Sequence, residues 1–174
     1  NSSINGIEDA DLICLIGTNP RFEATILNAR IRKSFLKKST KIISLNDVGD
    51  LTYPYEKLDG QTKTILDTFE GNNELSKNIL NSKKPIIILG ESVFKLKSAE
   101  FLFNLIKDFL KKNNKINDEW NSLNKITSDA STVGCLDLRI IDEKNDIFDK
   151  LKSNNFKIIY LLGQDNLDFV KKDE

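Results

Sequence analysis

Three short segments constrain the fold more than anything else in the chain. Leu12-Ile13-Cys14-Leu15-Ile16-Gly17, Pro85-Ile86-Ile87-Ile88-Leu89-Gly90 and Ile158-Ile159-Tyr160-Leu161-Leu162-Gly163 are each an unbroken apolar run closed by glycine. A strand with one wet face alternates apolar and polar side chains, so runs without alternation predict strands covered on both faces. A glycine at the carboxyl end permits a tight turn into a following helix. Lys41-Ile42-Ile43-Ser44-Leu45 reads as a further strand.

Helical patterns separate these runs. Residues 20–38 carry Phe22, Ile26, Leu27, Ile31, Phe35 and Leu36, read as the buried stripe of one helix. Shorter helices are predicted over 61–70 and 73–82. A longer one runs over 97–112, another over 118–131 around Trp120, Leu123 and Ile126, and a last one over Asn145–Ser153. Trp120 is expected to pack its helix onto the sheet, and Val133–Leu138 reads as a short strand or a loop. Strands alternating with helices imply βαβ units with right-handed crossovers. The expected fold is therefore a three-layer α/β/α Rossmann-like domain with a mostly parallel sheet, one domain over residues 1–174. The run from Asp11 to Pro20 is echoed without gaps by Lys157 to Asn166.

Composition narrows the chemistry. Lys plus Arg and Asp plus Glu both total 26, so no net positive charge favours nucleic acid. There is no His, which removes the commonest general base and zinc ligand. Two Cys are too few for an iron–sulfur cluster, which takes four thiolates. Cys14 and Cys135 can in principle pair, but Cys14 lies inside an apolar strand, and two buried free thiols in a reducing compartment is the better reading. No apolar run approaches the ~20 residues that span a bilayer. The chain starts Asn1-Ser2-Ser3 and has no Met, as expected of a piece cut from a longer protein.

The most pointed local feature is the turn Gly17-Thr18-Asn19-Pro20. Asn19 is a good helix N-cap, and Pro20 suits the first helical position. The turn reads either as a plain cap or as a cradle for a phosphate. No G-x-G-x-x-G or G-x-x-x-x-G-K-[ST] is present. Gly90-Glu91-Ser92 and Gly163-Gln164-Asp165 place carboxylates where a phosphate would be repelled. The carboxylate pairs Asp9/Asp11, Asp47/Asp50 and Asp142/Glu143 read as solvated surface, with no nucleophile or base beside them.

The second feature is cationic. The chain has 22 Lys and only 4 Arg, yet Arg21, Arg30 and Arg32 fall within twelve residues. Lys33, Lys37 and Lys38 follow, so residues 20–38 carry six cations against Glu23. Lys37 and Lys38 suit a helix C-terminus. Arg holds planar bidentate contacts that Lys replaces poorly, so the retained Arg residues predict fixed ion pairs, within the domain or across an interface.

Leu15-Ile16-Gly17-Thr18-Asn19-Pro20-Arg21-Phe22-Glu23-Ala24, continuing through Asn28-Ala29-Arg30-Ile31-Arg32-Lys33-Ser34, resembles the large iron–sulfur subunit family of NADH:quinone oxidoreductase, respiratory complex I. Further pieces keep that family's order: Leu51-Thr52-Tyr53, Lys84-Pro85 leading to Leu89-Gly90, Asp118-Glu119-Trp120-Asn121, Leu136-Asp137-Leu138 and Leu161-Leu162-Gly163. The resemblance covers nearly the whole chain. It implies a position in the molybdopterin-oxidoreductase-like region, beyond the parent's 2Fe-2S and 4Fe-4S cluster motifs, none of which is here.

In molybdopterin enzymes the strand-G-x-N-P turn helps hold the pterin dinucleotide. The resemblance implies that in complex I this region is structural and has lost that cofactor. Gly17, Thr18, Asn19 and Pro20 would then be vestigial, and Asp165-Asn166 stands where a second turn would have Asn-Pro. Expected partners are other peripheral-arm subunits and the parent's own cluster domain, without nucleic acid or direct membrane insertion. The expected location is the cytoplasmic side of a bacterial inner membrane or the mitochondrial matrix side. Arg21, Arg30, Arg32 and Lys33 are the candidate interface residues. The alternative is a molybdopterin- or nucleotide-binding α/β module.

Overall fold

The structure, a computed structural model, describes residues 3–127, 131–139, 156–158, 160 and 162. These fall in two compact units, Asn1–Ala130 and Ser131–Glu174. The first opens with a 3₁₀ turn over Ile4–Asp9 and continues β1 (Leu12–Ile16), α1 (Pro20–Glu23), α2 (Thr25–Lys38), β2 (Lys41–Leu45) and β3 (Glu56–Leu58). Then come α3 (Thr62–Phe69), α4 (Glu74–Asn81), β4 (Pro85–Leu89), α5 (Glu91–Phe94), α6 (Ala99–Lys112) and β5 (Leu123–Lys125). The second unit contains α7 (Thr132–Asp137).

The five described strands form one all-parallel sheet in the order β3-β2-β1-β4-β5. The unbroken apolar runs are buried on both faces, as their lack of alternation predicts. Leu12, Cys14, Ile16, Ile43, Leu45, Ile87 and Leu89 join the cluster under α3, α4 and α6. Ile13, Leu15, Ile42, Ile86 and Ile88 join the opposite cluster with Ile31 of α2, Leu51 and Tyr53. The expected α/β Rossmann-like architecture is therefore present in the first unit. Its two central strands are tied at their amino ends by Asp11. That carboxylate accepts from the Ser82 hydroxyl and from the Lys83 and Lys84 amides at 2.7 and 2.9 Å.

Residues 20–38 are two helices, because Ala24 leaves helical geometry (φ −153°, ψ 72°). The inward face of α2 is Asn28, Ile31 and Ser34. Phe22, Ile26 and Leu36, expected inside, are exposed. Leu27 and Phe35, expected inside with Ile31, do pack against the core, and the polar residues that share this side have a specific reason to be there. Asn28 donates to the Leu51 carbonyl at 3.0 Å and accepts from the Tyr53 hydroxyl at 2.7 Å. Ser34 shares a 2.6 Å hydrogen bond with Thr40, which donates to the Ala10 carbonyl at 3.0 Å. Satisfied polar groups can face the core, and apolar periodicity does not register them.

Residues 118–127, the part of the expected 118–131 helix described in the first unit, are not helical. The Asn117 side chain accepts from the Glu119 and Trp120 amides, the Asn121 side chain accepts from the Leu123 amide, and the chain then enters β5. Leu123 faces one core cluster, while Trp120 and Ile126 face the other. Helical spacing was thus matched by residues on opposite sides of a sheet. Trp120 packs from a turn and donates its Nε1–H to the Pro85 carbonyl at 2.9 Å. In the second unit, residues 132–137 are helical, because Ser131 and Gly134 carbonyls accept from the Cys135 and Leu138 amides four residues on.

Both cysteines are free; Cys14 is buried, but Cys135 is half-buried rather than fully inside. Burial pushes the Cys14 thiol up to about 12, so it stays neutral and inert. The expected helix at 145–153 lies outside the described residues, as does half of the expected strand at 158–163. Ile158, Tyr160 and Leu162, which are described, lie in no regular element.

Candidate functional site

The sheet reverses its strand order between β1 and β4, the place where open α/β sheets receive ligands beyond the strands' carboxyl ends. Gly17 ends β1 and Gly90 ends β4. Gly17 has φ +61°, and a Cβ there would lie 2.5 Å from Ser92 Oγ and 2.7 Å from Val93 Cγ2. A Cβ on Gly90 would lie 2.0 Å from the Gly17 carbonyl oxygen. The Gly90 amide donates to the Ile16 carbonyl at 2.9 Å, and the Ser92 hydroxyl donates to the Gly17 carbonyl at 2.5 Å. The crevice floor is therefore closed by direct backbone contact.

The turn itself is the cap that its residue types predict. Asn19 Oδ1 accepts from the Arg21 amide at 3.0 Å, and Pro20 opens α1. The Asn19 side-chain amide donates to the Val48 carbonyl at 2.8 Å, fixing the turn to the loop after β2. The last residue of α1 then folds back over the turn. Glu23 accepts from the Thr18 hydroxyl at 2.7 Å and from the Asn19 backbone amide at 3.0 Å. An anion supplied by the chain already holds the donors that a phosphate would use. A second negative charge would be repelled and would meet no unsatisfied donor at Thr18 or Asn19. These residues do not fit a pterin or nucleotide phosphate.

Glu23 is the residue that reading the turn alone misses. Its signal is the spacing: an acid four residues after an Asn N-cap resembles the reciprocal cap in which a Glu or Gln side chain returns to the cap's own amide.

The cationic residues are placed unequally. Arg21 donates to the Asp50 carbonyl at 2.8 Å and pairs with its carboxylate at 2.6 Å. The Thr52 amide and Arg21 together lower the Asp50 carboxyl below its ordinary range. Arg30 and Lys33 converge on Glu8 at 2.5 and 2.8 Å, with Lys37 at 3.7 Å. The Lys33 hydrogen bond, with Arg30, outweighs desolvation and lowers the Glu8 carboxyl to about 2. Lys38 pairs with Asp9. Arg32 is exposed on α2 and has no ion pair among the described residues. The expectation of fixed ion pairs thus resolves inward for Arg21, Arg30 and Lys33, leaving Arg32 outward.

No group of His, Cys, Asp or Glu among the described residues is arranged to hold a metal ion, and no described helix is long and apolar enough to cross a membrane.

Within the first unit, two pairs of the motif pieces meet in space. Asn28 of Asn28-Ala29-Arg30-Ile31 holds Leu51 and Tyr53 of Leu51-Thr52-Tyr53. Trp120 holds Pro85, while Lys84 lies over its ring at 5.1 Å.

The chain is 38% identical over 168 residues to the mitochondrial 78 kDa subunit of NADH-ubiquinone oxidoreductase from Candida albicans, covering 96% of this chain and 22% of that protein. It is 36% identical over 169 residues to the 75 kDa subunit from Reclinomonas americana, covering 96% of this chain and 24% of that one. With the mitochondrial NADH dehydrogenase iron-sulfur protein 1 from Solanum tuberosum it shares 33% over 171 residues, 98% of this chain and 22% of the relative. The chain thus spans under a quarter of the length of these relatives. The family model for molybdopterin oxidoreductase matches residues 1–174. With a parallel sheet, a G-x-N-P turn at its switch point and a match along its full length, the chain belongs to the molybdopterin oxidoreductase family.

Proposed function

We propose that this chain is a noncatalytic, structural segment of the large iron–sulfur subunit of a proton-translocating NADH:quinone oxidoreductase. The parent complex would pass electrons from NADH through 2Fe-2S and 4Fe-4S clusters to quinone. The clusters would lie in parts of the subunit other than this segment, which would brace the cluster domain and neighbouring peripheral-arm subunits. The assembly would sit peripherally on the cytoplasmic side of a bacterial inner membrane or the matrix side of a mitochondrial one. Similarity over about 96% of the chain to subunits of that name supports the parent.

The structural role rests on one observation: Glu23 occupies the Thr18 and Asn19 donors of the family turn. Retention of Gly17, Asn19 and Pro20 at the switch point is what favours the second reading, a pterin- or nucleotide-binding module. Elemental analysis and pterin extraction on the purified native assembly separate the two. The structural role predicts neither molybdenum nor tungsten nor pterin at stoichiometric level. One metal and one pterin dinucleotide per chain would overturn it in favour of the binding module.

A further inference from the structure

α2 carries large apolar side chains on two sides, with Leu27, Ile31 and Phe35 packed on the core and two others turned away from it. Its buried residues are Asn28, Ile31 and Ser34, while Ile26 and Leu36 stand 68% and 69% exposed on the opposite side, with Ala29 between them. Phe22 of the adjoining α1 is 79% exposed. A helix of a self-sufficient domain normally turns its large apolar residues inward. A contiguous exposed apolar face with a polar rim marks an interaction surface.

The charges beside that face say what it meets. Arg32 and Lys33 project from the same side as Ala29 and Leu36, by helical spacing and exposure. Arg30, Lys33 and Lys37 already share the single carboxylate of Glu8, which leaves this side in cationic excess. Arg32 has no ion pair among the described residues. Its guanidinium matches a carboxylate in a planar, bidentate geometry. Apolar side chains beside this cationic excess match a partner that presents carboxylates beside apolar groups, and the bracing role proposed above makes that partner a polypeptide.

We infer that the outer face of α2, Ile26, Ala29 and Leu36 with Arg32, docks an amphipathic segment of a neighbouring polypeptide that presents apolar side chains beside an Asp or Glu. The inference deepens the bracing role proposed above and rests on it for the existence of a neighbour.

The test is site-specific photo-cross-linking in the full-length protein within its native assembly. A benzophenone amino acid is placed at position 26 or 36, with position 63 on α3 as the reference. Both α2 positions are expected to capture one and the same segment, containing an acidic residue beside apolar ones. Arg32→Glu should lower that yield about tenfold, the scale of losing one desolvated charge-assisted pair, without moving the melting midpoint. Changing the captured acid to Lys in the Arg32→Glu background should restore the yield.

No adduct above the position 63 reference would overturn the docking surface. So would capture of lipid, a captured segment without a carboxylate, or an Arg32→Glu variant with undiminished yield. Capture of a fitting segment from a polypeptide that does not copurify with NADH oxidation would leave the docking surface standing and overturn the proposed parent.

Discussion

The Thr18 hydroxyl donates to Glu23 at 2.7 Å, closing the family turn with the last residue of the helix that the turn begins. Glu23→Gln keeps the shape of that closure but removes the charge that strengthens both hydrogen bonds. The carboxylate is exposed, so the expected cost is at the low end for such bonds, about 1 kcal/mol. For a chain of this size that is roughly 2–4 °C in the melting midpoint. Differential scanning calorimetry of the two proteins checks it, and equal midpoints would mean that Glu23 does not hold the turn.

Asn28 and Tyr53 form the polar pin under α2. Asn28→Leu leaves the Leu51 carbonyl and the Tyr53 hydroxyl buried without partners, at about 1–3 kcal/mol each. The expected total is about 2–6 kcal/mol, against roughly 1–2 kcal/mol for Tyr53→Phe. The double variant should cost less than the sum by at least ~0.5 kcal/mol, because both remove one shared contact. Urea unfolding of the four proteins measures this cycle; strict additivity would contradict it.

The acid limb of stability should report on Glu8. Its carboxyl ionises at about 2 in the folded chain against an ordinary 4.5, because Lys33 and Arg30 bond to it. A folded value below the unfolded one means that the stabilisation is complete above 4.5 and is lost as the pH falls from there towards 2. Asp11 is also lowered in the folded state, burial being outweighed by the Ser82 hydroxyl and the Lys83 and Lys84 amides. Glu8→Gln should therefore flatten the fall in melting midpoint over this range without abolishing it. A variant curve parallel to the parent's would contradict the assignment.

Gly90→Ala should be among the most damaging small substitutions. The added methyl would sit 2.0 Å from the Gly17 carbonyl oxygen, a backbone atom that can yield only by separating β1 from β4. Gly134 offers the contrast, with open space at the same point within α7, so Gly134→Ala should stabilise by roughly 0.5–1 kcal/mol. Soluble yield and thermal midpoints compare the two. A well-folded Gly90→Ala protein would mean that the switch-point crevice is open.

How much was legible beforehand depended on the kind of signal. β1 and β4 are continuous apolar runs and β2 carries Ile42, Ile43 and Leu45 around a buried Ser44, the composition of strands covered on both faces. α3, α4 and α6 carry ordinary apolar stripes. The three-residue strands β3 and β5 are too short to show a period, and Glu56-Lys57-Leu58 has almost no apolar content. α2 misleads because Asn28 and Ser34 face the core with partners from Leu51, Tyr53 and Thr40, distant in sequence. Within the turn, residue type predicted the Asn19 cap and Pro20 start, while the returning Glu23 carboxylate needed the geometry. The cationic run was visible, but which of its members is paired depended on where Glu8 and Asp50 fold.

The most direct test of the structural role is turnover per assembled complex for Glu23→Gln in the full-length subunit. Quinone reduction by NADH is measured on purified assemblies and normalised to cluster content. A structural segment predicts less assembled complex, in proportion to lost stability, and unchanged turnover in each complex that forms. Normal assembly with reduced turnover would place this turn in the chemistry and contradict the account.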